Sequence, residues 1–164
     1  MIILGIDPGF ADMGFGVIEV AGSKDRCIAY GSVKTPAGAP ITERLSRIYD
    51  ELSAIIAKHR PDRAGIEKLY FSNNAKTAML VAEARGVIRL CLEKHGLSCT
   101  EVGPAEVKIA VCGHGAAAKP DVQKMTRVLL GLAEIPKPDD AADALAVAIT
   151  VAHTRVAVEK KALL

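Results

Sequence analysis

Four acids stand at three well-separated places in the chain, each at an apparent end of a regular element. Asp7 closes the run Ile2-Ile3-Leu4-Gly5-Ile6 and is followed by the turn residues Pro8 and Gly9. Glu67 lies near the end of a second apolar stretch. Asp140 and Asp143 fall in Asp139-Asp140-Ala141-Ala142-Asp143-Ala144-Leu145-Ala146. Three residues apart, Asp140 and Asp143 share one helix face, and the alanines between them leave room for close approach. Each acid has an ordinary explanation when taken singly. Asp7 could serve a turn, Glu67 could be a solvated strand residue, and acids at a helix start complement its dipole, with Asp139 the natural cap. Together they raise a different problem. Four adjacent carboxylates cannot all ionise without cations, because like charges raise one another's pKa. An oxygen-only ligand set selects Mg²⁺ or Mn²⁺ over zinc. A carboxylate cluster holding two divalent ions suits in-line attack on a phosphodiester.

The elements that must position these acids can be read from the apolar pattern. Residues 2–7 predict a strand buried on both faces. Phe15–Val20 and Cys27–Thr35 predict two further strands, joined to it by short turns as an antiparallel meander. A helix over Thr42–His59 places Leu45, Ile48, Tyr49, Leu52, Ile55 and Ile56 on one face. A fourth strand over Arg63–Leu69 then runs parallel to an earlier one. The helix expected over Asn74–His95, stopped by Gly96, is apolar around much of its circumference and wants two partners, its own sheet and a second subunit. Ser98–Val102 predicts a fifth strand. Helices follow over Pro104–Val111, Pro120–Leu132 and Asp139 to about Val156, with a flexible loop at Gly113–Ala118 before Lys119. One domain is expected over 1–157, with a frayed tail at 158–164.

Composition narrows the class. The chain has 164 residues, 50% apolar and 24% charged. A chain of this length buries roughly 70% of its unfolded surface and needs no disulfide staples. Cys27, Cys91, Cys99 and Cys112 form no C-x-x-C pair and read as reduced thiols. No apolar run approaches a membrane span, and no basic, apolar and cleavage-site sequence opens the chain, so a cytoplasmic protein is expected. The net charge of +2 leaves nucleic acid open as a partner, because an acidic site and a basic surface cancel in the sum.

The motifs resemble a known family. Ile3-Leu4-Gly5-Ile6-Asp7-Pro8-Gly9, Gly14-Phe15-Gly16, Ile66-Glu67-Lys68-Leu69-Tyr70, Ala84-Arg85-Gly86-Val87 and Asp140-Ala141-Ala142-Asp143-Ala144-Leu145-Ala146 occur in the order and spacing of the RuvC crossover-junction endodeoxyribonucleases. The resemblance implies an α/β, ribonuclease-H-like fold: a mixed five-stranded sheet flanked by helices. It also implies a homodimer that resolves Holliday junctions by two symmetric nicks, with RuvA and RuvB as branch-migration partners. Matched position by position, Asp7, Glu67, Asp140 and Asp143 are the metal-binding catalytic acids, holding two Mg²⁺ per subunit with Mn²⁺ a substitute. Tyr70, with Phe71 beside it, falls where the family has an aromatic residue near the junction bases. Lys108 and Lys119 match basic positions that contact DNA. Phe10-Ala11-Asp12-Met13 departs from the family's Ser-Arg-x-Thr-like stretch, and Ala116 replaces a residue often basic or polar; both bear on DNA affinity and sequence preference. The competing readings are a ribonuclease-H-like nuclease for RNA or flaps, an actin-like ATPase or sugar kinase, and a non-catalytic junction-binding module.

Overall fold

The computed structural model describes residues 1–22, 24–68 and 75–154. The strands are β1 (Ile2–Asp7), β2 (Asp12–Ala21), β3 (Lys24–Lys34), β4 (Arg63–Glu67) and β5 (Cys99–Val102). The helices are α1 (Ile41–His59), α2 (Ala75–Lys94), α3 (Pro104–Cys112), α4 (Lys119–Leu129) and α5 (Asp139–His153). The five strands form one sheet in the order β3-β2-β1-β4-β5. β1, β2 and β3 pair antiparallel, while β4 runs parallel to both β1 and β5. The mixed sheet expected from the meander and the crossover helix is therefore the one observed, with β1 at its centre.

Several boundaries differ from the sequence reading. β2 begins at Asp12 rather than Phe15, because Asp12 and Met13 already pair with Lys34 and Val33. β4 ends at Glu67 rather than Leu69. Asp139 does not cap α5: it is the first helical residue, and Pro138 holds the cap position with no side-chain bond. The expected end of that helix near Val156 and the 158–164 tail lie outside the described residues.

Each face of the sheet carries its own core. Leu4, Ile6, Val17 and Ile66 pack with Ile48 and Leu52 of α1 and with Ala84 and Ile88 of α2. On the opposite face Ile3 and Ile18 meet Leu145, Val147 and Ile149 of α5, with α3 and α4 outside it. α5 lies unusually deep. A Cβ built on Gly5 of β1 would stand 2.0 Å from the carbonyl oxygen of Ala144, and one on Gly14 of β2 would stand 2.0 Å from that of Asp140. Glycine on the strands and alanine on the helix let backbone approach backbone, which seats the start of α5 against the ends of β1 and β2.

The apolar residues of α2 divide into two sets. Ala84, Ile88, Cys91 and Leu92 are buried against the core. Met79 (71% exposed) and Leu90 (53% exposed) face outward with Ala82 and Gly86. No helix among the described residues is long and apolar enough to cross a membrane.

Candidate active site

Side chains alternate along a strand, which decides where the acids point. Leu4 and Ile6 enter the core beneath α1 and α2, so Asp7 turns to the α5 face. Ile66 likewise enters the α1/α2 core, and Glu67 turns the other way. β1 and β4 are parallel neighbours with Ile6 opposite Ile66, so Asp7 and Glu67 leave the sheet side by side. The first turn of α5, seated over Gly14, brings Asp140 and Asp143 to the same place.

The electrostatics record this convergence. Burial, then the nearby charges of Glu67, Asp143 and Asp140, push the Asp7 carboxyl up from 3.8 to about 8. Burial and Asp143 raise Glu67, while Lys119 and a hydrogen bond from Asp7 oppose the rise. Both carboxyls thus hold their protons more tightly than free ones, with Asp7 placed to donate to Glu67. Burial raises Asp140 as well, followed by repulsion from Asp12 and Asp143. The cationic partner is Lys119, whose Nζ lies 2.6 Å from Asp143 Oδ2. That bond raises the Lys119 ammonium above its ordinary range.

A cavity of about 230 Å³ opens at this point, with Glu67, Asp143, Lys108 and Lys119 on its polar side and Pro104, Val107, Val122, Ala146 and Val147 on its apolar side. Both lysines singled out in the sequence therefore stand at the mouth of the acidic cluster. Tyr70 and Phe71 lie outside the described residues. As placed, no three acids, histidines or cysteines among the described residues are spaced as ligands of one ion. The chemistry of the group nevertheless fits hard divalent cations. Its donors are all carboxylate oxygens, burial and mutual repulsion raise three of them, and an ammonium lies against the fourth.

The family described as "Crossover junction endodeoxyribonuclease RuvC" matches residues 3–151. The chain belongs to the RuvC family. A RuvC from Heliobacterium modesticaldum is 54% identical over 154 residues, covering 94% of this chain and 95% of that one. The solved RuvC of Thermus thermophilus superposes with a TM-score of 0.87 at 37% identity, covering 93% of each chain. A second T. thermophilus RuvC structure, described as in complex with Holliday junction substrate, gives 0.85 at 35% identity and the same coverage. The ribonuclease-H-like fold implied by the motifs is thereby shown.

Against the family pattern, two features of this chain escaped the sequence reading. The first is Asp12. It begins β2, its Oδ1 is buried without a hydrogen-bond partner among the described residues, and its charge bears on Asp140. Its position five residues after Asp7 was the available signal, but the stretch reads as a turn. The second is Arg85, a member of the Ala84-Arg85-Gly86-Val87 motif, which donates a hydrogen bond to the main-chain carbonyl of Glu67. The departure at Phe10 is built into the fold. Its ring is 6% exposed, the Arg44 guanidinium lies 4.0 Å from its centroid, and Thr35 Oγ1 donates to its carbonyl oxygen at 2.7 Å. His153 lies apart from the acids, with Nε2 2.7 Å from Asp25 Oδ2.

Proposed function

We infer that this chain is a Holliday junction resolvase, a metal-dependent endonuclease of recombination and repair that nicks four-way DNA junctions in symmetric pairs. The observation that carries the reading is a RuvC-family chain in which Asp7, half-buried at the end of β1, lies within reach of the charges of Glu67, Asp143 and Asp140. In this reading the four acids hold two Mg²⁺ ions, for which Mn²⁺ substitutes. Bound there, the ions supply the charge that neutralises the scissile phosphate, activates water and stabilises the leaving 3′-oxygen, giving 5′-phosphate and 3′-hydroxyl ends.

The chain's own residues have distinct tasks. Asp7, at the end of the central strand, would be the shared cation ligand, holding the ions as its carboxylate. Glu67 and Asp143 flank it from β4 and α5. Lys119 neutralises Asp143 and, at the mouth of the cavity, would meet the DNA backbone. Lys108, across the cavity, adds a second phosphate contact. Tyr70 and Phe71 offer rings for stacking on unpaired bases, worth about 1–3 kcal/mol each.

A four-way junction can be two-fold symmetric, and a two-fold dimer presents two equivalent sites to it. The outward face of α2, with Met79, Ala82, Gly86 and Leu90, supports a homodimer built there. RuvA and RuvB are the expected branch-migration partners. The deciding experiment incubates the protein with a synthetic mobile four-way junction, with and without Mg²⁺, beside duplex, flap and RNA–DNA hybrid controls. Strand-resolved mapping should give paired nicks at symmetry-related positions of the junction alone. Equal cutting of the controls, or cutting without divalent ions, would refute the assignment.

A further inference from the structure

Arg85 lies on the far side of the sheet from α5, yet it reaches the site. Its side chain is 11% exposed, low for a guanidinium. Nη1 donates to the main-chain oxygen of Glu67, and Nη2 lies 2.9 Å from a carboxylate oxygen of Glu101 on β5. Arg89, one turn along, meets the other oxygen of Glu101 at 3.4 Å. Glu101 stands opposite Ile66 in the parallel ladder and so shares its face, toward α1 and α2. Glu67 points the other way, toward α5. Arg85 therefore grips the end of β4 from behind, through the backbone.

That grip falls where the ladder gives out. The β1–β4 pairing ends at Ile6 and Ile66, one residue short of Glu67. On the other side Glu67 still pairs with Val102 of β5. The Arg85 bond supplies a second restraint at a residue that strand pairing holds from one edge only.

We propose that Arg85 is a positioning residue for the cation site: it fixes the main chain of Glu67, and so the direction of its carboxylate, while Glu101 holds the guanidinium in place. The proposal rests on the reading of Glu67 as a cation ligand. Supporting partners behind a ligand typically govern metal affinity by 10–100-fold.

The test titrates Mn²⁺ into the full-length protein without DNA, following free ion by electron paramagnetic resonance. The Mg²⁺ concentration for half-maximal junction cleavage is measured in parallel. Arg85→Gln should weaken Mn²⁺ binding about tenfold and raise the Mg²⁺ requirement by the same factor, with cleavage largely recovered at saturating Mg²⁺. Arg85→Lys, which keeps a donor, should recover most of the affinity. Arg89→Gln, whose side chain is 62% exposed, should bind as wild type. If Arg85→Gln does not fold, Glu101→Gln loosens the same guanidinium and should shift affinity in the same direction. Wild-type Mn²⁺ binding in a folded Arg85→Gln, or an equal loss in Arg89→Gln, overturns the proposal. Glu67→Gln separates the two readings. If it too binds as wild type, the ligand assignment fails; if it loses binding while Arg85→Gln does not, only the role of Arg85 fails.

Discussion

Replacing Asp7 by Asn should stabilise the metal-free protein while abolishing cleavage, and the size of the gain should depend on pH. In the unfolded chain Asp7 titrates near 3.8; in the fold burial and three neighbouring acids push it up to about 8. Between those values the native state binds the extra proton. Asp7 therefore contributes stability that is fully present below pH 3.8 and lost as pH rises through 8. A span of about four units at about 1.36 kcal/mol each sets a ceiling of about 6 kcal/mol. Local relaxation and water entry reduce this, and a difference of about 2–3 kcal/mol at pH 8.5 is the expected outcome. Asn keeps the shape and carries no charge, so the variant lacks the penalty. Urea unfolding in EDTA at pH 5, 7 and 8.5 measures it: the gap between variant and wild type should widen with pH. Mg²⁺ should then narrow the gap by stabilising the wild type, by about 2.7 kcal/mol at one hundred times its Kd. A gap that stays constant with pH, or a variant less stable than wild type at pH 8.5, would refute the argument that Asp7 sits among like charges.

The other expectations follow from packing and charge. Gly5→Ala places a Cβ 2.0 Å from the Ala144 carbonyl oxygen and should destabilise the fold by about 3 kcal/mol, read as a lower urea midpoint. Gly86→Leu meets no atom of the described residues within 4 Å of its Cβ, so the single chain should fold normally while sedimentation shows a shift from dimer to monomer; a persistent dimer would place the interface elsewhere. Lys119→Met should lower the slope of log K against log salt for junction binding by about one phosphate contact, and an unchanged slope would remove Lys119 from the DNA interface.

The main strands and the acids were legible because their signals are local. Residues 2–7 form an apolar run closed by an acid and a Pro-Gly turn, and Asp140 and Asp143 share a helix face by spacing alone. What escaped depends on partners distant in sequence. Ala11-Asp12 reads as turn, yet pairing with Lys34 makes Asp12 the first residue of β2 and sets its carboxylate near Asp140. The apolar breadth of α2 predicted two partners, but only the fold shows that Ile88 and Leu92 go inward while Met79 and Leu90 go outward. Arg85 stands in a quoted motif, but its task is silent for the same reason: its partners are a main-chain oxygen on β4 and a carboxylate on β5, and neither has a sequence signature.

Charge and packing oppose each other at this site. Asp7, Glu67, Asp140 and Asp143 repel one another, and left to themselves they would separate. The scaffold prevents it with main-chain contact: glycine at positions 5 and 14 lets α5 rest on the sheet, and the carbonyls of Ala144 and Asp140 occupy the space where strand side chains would stand. Any larger residue at either glycine must lift the first turns of α5, and the two aspartates with it. A shift of about 1 Å in a reacting geometry costs about 100-fold in rate. The small residues around the acids are thus as much part of the site as the acids themselves, because they fix how closely three distant parts of the chain can meet.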